Sequence, residues 1–375
     1  MLFRRRVSLP LLLAMLLASG AALCAEPAAS APQATKARLR GALLTAEMAT
    51  AERLELLAKE GYSAIVLDVG QGDGGTIQAV KAAAKQVTQA GLDLYYWIEV
   101  ARCEALAKEH PEWMASLQGH QEWRRLHKEF PFPKADEVVK CYPWTPILYR
   151  ETFDAHLLRI ERLLAELPVP QGLFLNDLQG PPTACGCGNP VCRWTADYGP
   201  VVTATPLGDD AAGRFVAEVR KRVAKTTSVI PVWTTECEEH DKEKDALCAG
   251  VGCFKGICWK AYTKQLMPVA DEAPLIGALL LYKEFGQDSP TYAAAAGWVS
   301  HAVAGFTQMP AKNGGRAIEA GRLITVLQGY DVTPQEVEAQ LARSRDSGAA
   351  GYIVALSKLD QSWQPKMHRW RNQPK

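Results

Sequence analysis

The chain has 375 residues, of which 48% are hydrophobic and 22% charged, and its formal net charge is +1 at pH 7. This length and apolar content suffice for one large domain with a substantial core, or for two ordinary domains. The near-neutral charge argues against a nucleic-acid-binding surface. Only one long apolar stretch is present, near the N-terminus, so the mature protein is expected to have no membrane span.

The first 25 residues have the layout of a secretory signal peptide. Arginines at positions 4–6 precede an apolar run at 9–17 and then small residues up to Ala25. The apolar run is shorter than the roughly 20 residues that span a bilayer. We therefore expect cleavage after Ala25 and a periplasmic or extracellular location. Lipid anchoring at Cys24 is less favoured, because a leucine precedes it, and residues 26–36 are predicted to form a flexible leader.

Short β-rich segments alternate with longer segments of helical spacing through the rest of the chain. Strands are predicted at 39–44, 64–69, 92–100, 172–178, 229–234, 275–282, 323–327 and 351–356. Helices are predicted at 51–59, 76–90, 152–167, 211–225, 292–304 and 334–347. This alternation predicts an α/β fold, a (β/α)8 TIM barrel over residues 37–360. Residues 361–375 are predicted to be a basic, solvated tail.

An open, doubly wound sheet is the alternative architecture. It would favour a glycine-rich phosphate loop after the first strand, where this chain has Thr45-Ala46-Glu47-Met48. A glycine-rich segment does follow the second strand at 70–75, but its spacing departs from the dinucleotide-binding pattern. The barrel is therefore the favoured fold.

Two predicted strand-to-helix connections are unusually long. They run from 101 to 151 after the third strand and from 235 to 274 after the fifth, and both contain cysteines. In a TIM barrel such connections emerge at the C-terminal end of the strands, where active sites are found. We therefore look for functional side chains at the strand ends.

Several segments resemble, in matching order, a family of uncharacterised glycoside-hydrolase-like (β/α)8 barrels. The matching segments are Tyr96-Trp97-Ile98-Glu99 with His110-Pro111-Glu112-Trp113 (third strand), Gly172 to Asp177 (fourth strand), the cysteine cluster at 185–199, and 326–356 (seventh and eighth strands). The cysteine cluster is also similar to the zinc cluster of certain barrel β-galactosidases. The resemblance implies a carbohydrate substrate and acid/base hydrolysis.

Hydrolysis of a glycosidic bond usually needs two carboxyl groups, one on each side of the bond. Asp177 is the first candidate, because it directly follows an apolar strand and matches the fourth-strand acid of the family; capping a turn is its alternative role. Related retaining barrels carry a Glu at the end of strand seven, where this chain has Gln328-Gly329-Tyr330-Asp331. The second carboxylate is left open between Glu284 and Glu99. Either also fits a structural ion pair, Glu99 with Arg102.

Aromatic and polar side chains near the strand ends are candidates for binding the substrate. Flat apolar rings suit the faces of sugars, although barrels also bury aromatic residues for packing alone. The predicted substrate-binding set is Asn176, Trp97, Trp233, Tyr282, Gln328 and Asp68, with Tyr330 as a further aromatic residue.

The first cysteine cluster has two interpretations. Export to an oxidising compartment favours disulfides. Alternatively, Cys185, Cys187 and Cys192, with Cys141 or Cys103 as the fourth ligand, fit a structural zinc site. Such a zinc would be structural, and no cofactor is expected to be required for catalysis.

The second long connection contains Cys237, Cys248, Cys253 and Cys258. Two local disulfides are the favoured interpretation, and the sequence does not select among the three pairings. A second metal site that includes His240 is the alternative.

These observations favour an exported glycoside-hydrolase-like enzyme that acts on a poly- or oligosaccharide, with Asp177 as the acid/base. One alternative is a catalytically inactive carbohydrate-binding barrel, which the missing Glu at strand seven favours. Another is a metal-holding envelope protein in which the cysteine clusters are the functional part.

Overall fold

Eight parallel strands close into a barrel in the computed structural model. The structure describes residues 38–70, 74–115, 137–178, 207–208, 210–234, 253–254, 257–281, 295–359 and 364–369. The barrel strands are β1 (Leu39–Leu44), β2 (Ala64–Gly70), β3 (Asp93–Glu99), β4 (Gly172–Asn176), β5 (Ser228–Thr234), β6 (Ile276–Leu280), β7 (Leu323–Gln328) and β8 (Gly351–Ala355). Each strand pairs with its neighbours in sequence order, and β8 closes on β1. The predicted (β/α)8 fold is confirmed.

Helices connect the strands on the outside of the barrel. The described helices are α1 (Ala51–Lys59), α2 (Gly74–Gln89), α3 (Glu104–Glu109), α4 (Arg150–Glu166), α5 (Ala211–Arg222), α6 (Trp259–Glu272), α7 (Ala295–Lys312) and α8 (Pro334–Asp346), with 3-10 turns at Pro111–Trp113 and Ala320–Arg322. Local sequence explains where α8 begins: Thr333 and Glu336 form a reciprocal capping box, and proline occupies the first turn. None of the helices in the described ranges has both the length and the apolar character needed to cross a membrane.

The register of the strands determines which side chains face the barrel interior. The hydroxyl of Thr325 contacts that of Ser344 on α8 at 2.6 Å, so Thr325 faces the helices. Because side chains alternate along a strand, Ile324, Val326 and Gln328 face inward. Gln328 pairs with Ala355 of β8, so the side chain of Ala355 also faces inward.

The same inward series continues from β8 to β4. Ala355 pairs with Leu43, Leu43 with Val66, and Val66 with Tyr95. Two residues further along these strands, Asp68 pairs with Trp97. Two residues further again along β3, Glu99 pairs with Asn176 of β4. Asp68, Trp97, Glu99 and Asn176 therefore all face the interior.

The long connections contain elements that the sequence patterns did not indicate. Helix α6 occupies part of the connection predicted at 235–274, and it carries Pro268, a residue that normally argues against a helix interior. The predicted tail also contributes structure: Gln364–Arg369 pairs antiparallel with Glu137–Tyr142 from the connection after β3. Its basic composition gave no sign of this pairing, because the partner strand lies far away in sequence.

A short antiparallel ladder follows β5. Cys253 pairs with Cys258, and Phe254 pairs with Ile257. Residues directly opposite each other in such a ladder have Cα atoms about 4.5–5.5 Å apart. The backbone register therefore brings two of the four cysteines of this connection together.

Candidate active site

Carboxyl groups stand at the C-terminal ends of three consecutive barrel strands. Asp68 is near the end of β2, Glu99 is the last residue of β3, and Asp177 directly follows β4. Glu99 and Asp177 are buried, with 4% and 2% of their surfaces exposed. Asp68 is only partly buried. Parallel strands end at the same rim of a barrel, so these groups share the end where TIM-barrel active sites lie.

The carboxylate of Glu99 is held by two N–H donors. The indole Nε1 of Trp97 donates to Oε1 at 2.8 Å, and the amide Nδ2 of Asn176 lies 3.0 Å from Oε2 and 3.3 Å from Oε1. Trp97 is itself fixed, because its ring stacks on Phe174 with centroids 6.0 Å apart and an interplanar angle of 21°. Hydrogen bonds from such donors stabilise a negative charge and fix the carboxylate's orientation.

The other end of the Asn176 amide group is a hydrogen-bond acceptor, the oxygen Oδ1. Asn176 is completely buried, and its Oδ1 has no hydrogen-bond partner among the described residues. A buried amide oxygen normally accepts a hydrogen bond, because leaving it without one costs about 1–3 kcal/mol. This oxygen is therefore suited to accept a hydrogen bond from a ligand hydroxyl beside Glu99.

An arginine from α4 fixes the backbone at the end of β3. Arg159 Nη2 donates to the carbonyl oxygens of Glu99 at 2.6 Å and of Val100 at 3.1 Å. The sequence suggested Arg102 as the partner of Glu99. In the structure, Trp97 and Asn176 contact the Glu99 carboxylate, and Arg159 binds the main chain behind it. No sequence pattern indicated Arg159, because its contact spans 60 residues.

Asp68 sits at an irregularity in β2. The register with β3 shifts between Asp68 and Gly70, and Gly70 has a positive φ of 56° that suits glycine. The backbone N–H of Gly70 donates to Asp68 Oδ1 at 2.8 Å. Bulges of this kind redirect side chains next to active sites. The local sequence therefore determines the direction of the Asp68 carboxyl.

Burial raises the pKa of Asp68 to about 7, and the negative charge of Glu99 is the next largest cause. The Gly70 N–H and the positive charge of Arg102 oppose this shift, while Glu47 adds to it. Asp68 therefore holds a proton up to about neutral pH. In this it differs from an ordinary aspartate, whose pKa is about 3.9.

Asp177 has a left-handed backbone conformation, with φ at 62°. This region is uncommon for residues other than glycine, although Asp and Asn tolerate it best. Asp331, after β7, is the other described residue of this kind, with φ at 53°. Positive φ values at strand ends redirect the chain, and such conformations cluster at functional sites.

Trp233 is not brought into this cluster. Ile324 faces inward, and its register partner Gly277 on β6 pairs in turn with Val232 on β5, so Val232 also faces inward. Trp233 is the next residue along β5 and pairs with Ala278, so it has the opposite orientation. Trp233 therefore faces the helix layer, where it is completely buried. Trp97 does face inward, but its ring is covered on one side by Phe174 and fully buried. Its contact with Glu99 indicates a positioning role in this structure.

Gln328 faces inward at the end of β7. It is buried, and its side-chain Nε2 donates to the carbonyl of Tyr330 at 3.2 Å. Gln340 of α8 bonds both the N–H and the carbonyl of Gln328 from outside.

Several sequence-based predictions concern residues that the structure does not describe. These residues are Tyr282, Glu284, Cys185, Cys187, Cys192, Cys237, His240 and Cys248, together with the side chains of Cys141, Cys253 and Cys258. The signal peptide and leader predicted at 1–36 also lie outside the described residues.

Among the cysteines suggested as zinc ligands, Cys103 has a described side chain, a buried free thiol that precedes α3. Within the described ranges, no group of three or more His, Cys, Asp or Glu side chains is arranged to hold a metal ion.

Comparisons with known proteins find distant structural similarity and no family. No protein-family model matches the chain, and no curated protein matches it. Similar solved structures include an endo-1,4-beta-D-mannanase from Thermotoga petrophila, with 11% identity, a TM-score of 0.45, and coverage of 85% of this chain and 88% of that one. A GH5_18 protein from Bifidobacterium longum has 10% identity and a TM-score of 0.48, over 85% and 70% of the two chains. A sugar phosphate isomerase/epimerase from Parabacteroides distasonis has 13% identity and a TM-score of 0.38, over 89% and 91%.

Proposed function

We propose that this protein hydrolyses glycosidic bonds in a poly- or oligosaccharide by carboxyl-group acid/base catalysis. The observation that carries the proposal is the inward-facing Glu99, whose carboxylate is fixed by Trp97 and Asn176 at the C-terminal end of the barrel. A buried, oriented carboxylate with further carboxyl groups on both neighbouring strands is what such a reaction requires. Glu99 is the proposed base of the pair.

The spacing of the carboxyl groups supports this reaction. Asp68 is opposite Trp97, and Glu99 is two residues further along β3. A strand spacing of about 4.8 Å and a rise of about 3.3 Å per residue give a Cα separation of about 8 Å between Asp68 and Glu99. Asp177 follows Asn176, the register partner of Glu99. Both aspartates therefore lie at the same rim as Glu99, and Asp177 is the sequence-based candidate for the proton donor.

The arrangement also supports recognition of a hydroxyl-rich ligand. Asn176 Oδ1 is a buried acceptor with no partner among the described residues, and it belongs to the amide that donates to Glu99. Each hydroxyl of a sugar provides a donor for such an acceptor. A glycan is therefore the proposed substrate class.

A catalytically inactive glycan-binding barrel is the second candidate. The specific observation in its favour is Gln328, an amide at the inward-facing end of β7 where related retaining enzymes carry a carboxylate. The two candidates predict different results with the same ligands, because a binding protein retains a glycan without producing new reducing ends.

A screen against cell-envelope and plant polysaccharides tests the proposal. Reducing-end release and glycan binding should be measured in parallel for the purified wild-type protein. Release of reducing ends from at least one glycan is the expected result. Binding without release would identify the inactive barrel, and neither binding nor release across the panel would contradict a carbohydrate function.

We also propose that the protein is exported and acts in the periplasm or outside the cell. The layout of residues 1–25 supports this proposal. Expression of the full chain in a Gram-negative host, followed by cell fractionation and N-terminal sequencing, tests it. A mature N-terminus at Glu26 in the periplasm or medium is expected. An intact Met1 in the cytoplasmic fraction would contradict export.

A further inference from the structure

Asp68 differs from the two other carboxyl groups of the cluster in its access to solvent. Glu99 and Asp177 are almost completely buried, whereas Asp68 is partly exposed at the same rim. A group that transfers a proton to a substrate must reach that substrate directly or through one water molecule. Asp68 is largely enclosed, yet of the two candidate proton donors, Asp68 and Asp177, it is the more exposed at this rim.

The surroundings of Asp68 give its carboxyl group a defined direction and a defined neighbour. The Gly70 N–H occupies one oxygen, Oδ1, and the register shift at Gly70 fixes the backbone that carries it. The titratable and charged groups that act on Asp68 are Glu99 from β3, Arg102 beyond β3, and Glu47 beyond β1. Two of these three are acidic, so the neighbourhood disfavours a further negative charge on Asp68.

We propose that Asp68 is the proton donor of the reaction, the role that the sequence assigned to Asp177. This assignment rests on the proposed hydrolase function and makes it more specific. Two carboxyl groups whose surroundings separate their protonation states form an acid and base pair. Here Trp97 and Asn176 donate hydrogen bonds to the carboxylate of Glu99, which is assigned as the base, and Asp68 is assigned as the acid.

The proton transfers balance over one turnover. The O–H bond of neutral Asp68 breaks as the glycosidic oxygen takes the proton, and the C–O electron pair stays with that oxygen, so the leaving sugar departs as an alcohol. A water molecule bonds to the anomeric carbon and gives one proton to Glu99. Transfer of that proton from Glu99 to Asp68 through solvent restores both groups.

The protonation behaviour of Asp68 agrees with this role. Its pKa is raised to about 7, chiefly by burial and then by the charge of Glu99. A general acid works best when its pKa is near the working pH. Asp68 is therefore protonated in mildly acidic to neutral solution and loses its proton above that range.

Infrared difference spectroscopy tests the protonation directly, without a substrate. Spectra of the full chain at pH 6 and pH 8 should differ by the C=O stretch of a neutral carboxylic acid. The band should be absent in Asp68→Asn and present in Asp177→Asn and in the control Asp93→Asn, which replaces an exposed aspartate at the other end of the barrel. In Glu99→Gln, removal of the neighbouring charge should shift the titration to lower pH. Absence of the band in wild type, its survival in Asp68→Asn, or an unshifted titration in Glu99→Gln would overturn the assignment.

Kinetics separate the failure of this assignment from the failure of the proposed function. With a glycan that the wild type hydrolyses, Asp68→Asn should lower kcat by about 10²–10⁴-fold, the usual contribution of a general acid. The same variant should lose much less activity on a nitrophenyl glycoside of that sugar, whose leaving group needs no proton. If Glu99→Gln abolishes turnover but Asp177→Asn shows this substrate dependence and Asp68→Asn does not, the function stands and the donor assignment is wrong. If the wild type hydrolyses no glycan, the function itself fails, whatever the infrared result.

Discussion

The indole N–H of Trp97 donates to the carboxylate of Glu99 two residues further along the same strand, at 2.8 Å. The period of two in a β-strand places both side chains on the inner face of the barrel. Phe174, from the neighbouring strand, holds the indole ring from its other side. A single strand therefore supplies both the carboxylate and the group that orients it.

Replacement of Trp97 by phenylalanine should reduce activity while preserving most of the packing. The ring can still stack on Phe174, but the N–H donor to Glu99 is lost. A hydrogen bond to a charged group is worth about 1.5–3 kcal/mol, which corresponds to roughly 10–100-fold in kcat. Trp298→Phe, at another fully buried tryptophan on α7, is the matched control and should leave kcat unchanged. Equal losses in the two variants would show that the effect is one of packing.

The stability of the wild-type protein should depend on the ionisation of Asp68. Its pKa is about 7 in the folded chain, against a reference value of 3.8, so the folded state binds more protons than the unfolded state between these values. The free energy of unfolding should therefore decrease as pH rises from about 4 to about 7, by on the order of 2 kcal/mol after allowance for solvent screening. Above the folded pKa this contribution should be constant.

Urea unfolding of wild type and Asp68→Asn at pH 5 and pH 8 checks this dependence. The variant should lack this part of the pH slope, so its stability relative to wild type should be higher at pH 8 than at pH 5. Asp93→Asn, which removes an exposed carboxylate, should keep the wild-type slope. An unchanged slope in Asp68→Asn would be evidence against a raised pKa at this residue.

Replacement of Arg159 by glutamine should destabilise the end of β3 from the outside of the barrel. The guanidinium binds the carbonyl oxygens of Glu99 and Val100, which would lose a partner in a buried setting. Each such loss costs about 1–3 kcal/mol. Arg162→Gln, three residues along the same helix and exposed, is the control and should change the free energy of unfolding by less than about 0.5 kcal/mol. Similar unfolding midpoints for the two variants would contradict a role of Arg159 in supporting this strand.

The backbone register predicts one disulfide in the connection after β5. Cys253 is opposite Cys258, and Cα atoms in such a pair are separated by a distance within the range of about 4.4–6.8 Å that disulfides span. We therefore predict a Cys253–Cys258 bond in protein secreted under oxidising conditions, which leaves Cys237 and Cys248 as the other local pair. Peptide mapping by mass spectrometry without reduction checks the pairing. A bond between either residue and Cys237 or Cys248 would refute it.

The barrel strands were predictable because they are buried on both faces. Strands such as β4, β6 and β7 are covered by helices outside and by side chains inside, so they form short, nearly continuous apolar runs. The same property hid the orientation of Trp233. In an apolar run without alternation, nothing in the sequence distinguishes the inward from the outward face, and only the register with β6 reveals that Trp233 faces the helices.

The contacts of the candidate site were less predictable than its residues. Glu99, Asn176 and Asp68 were expected near strand ends, and the structure brings them to one rim of the barrel. Their roles depend on pairings between distant segments: the Asn176 amide meets Glu99 across 77 residues. The raised pKa of Asp68 likewise depends on its burial and on Glu99 in the next strand, so local sequence could not indicate it.

The most direct test of a carboxylate-based hydrolase is the turnover of Glu99→Gln on a glycan that the wild type cleaves. Glutamine keeps the size of the side chain and removes its charge. Glu55→Gln, on the exposed surface of α1, is the matched control. We expect kcat of Glu99→Gln to fall by about 10²–10⁴-fold, with an unchanged fold by circular dichroism and wild-type turnover in the control. A folded Glu99→Gln protein that turns over at the wild-type rate would contradict it.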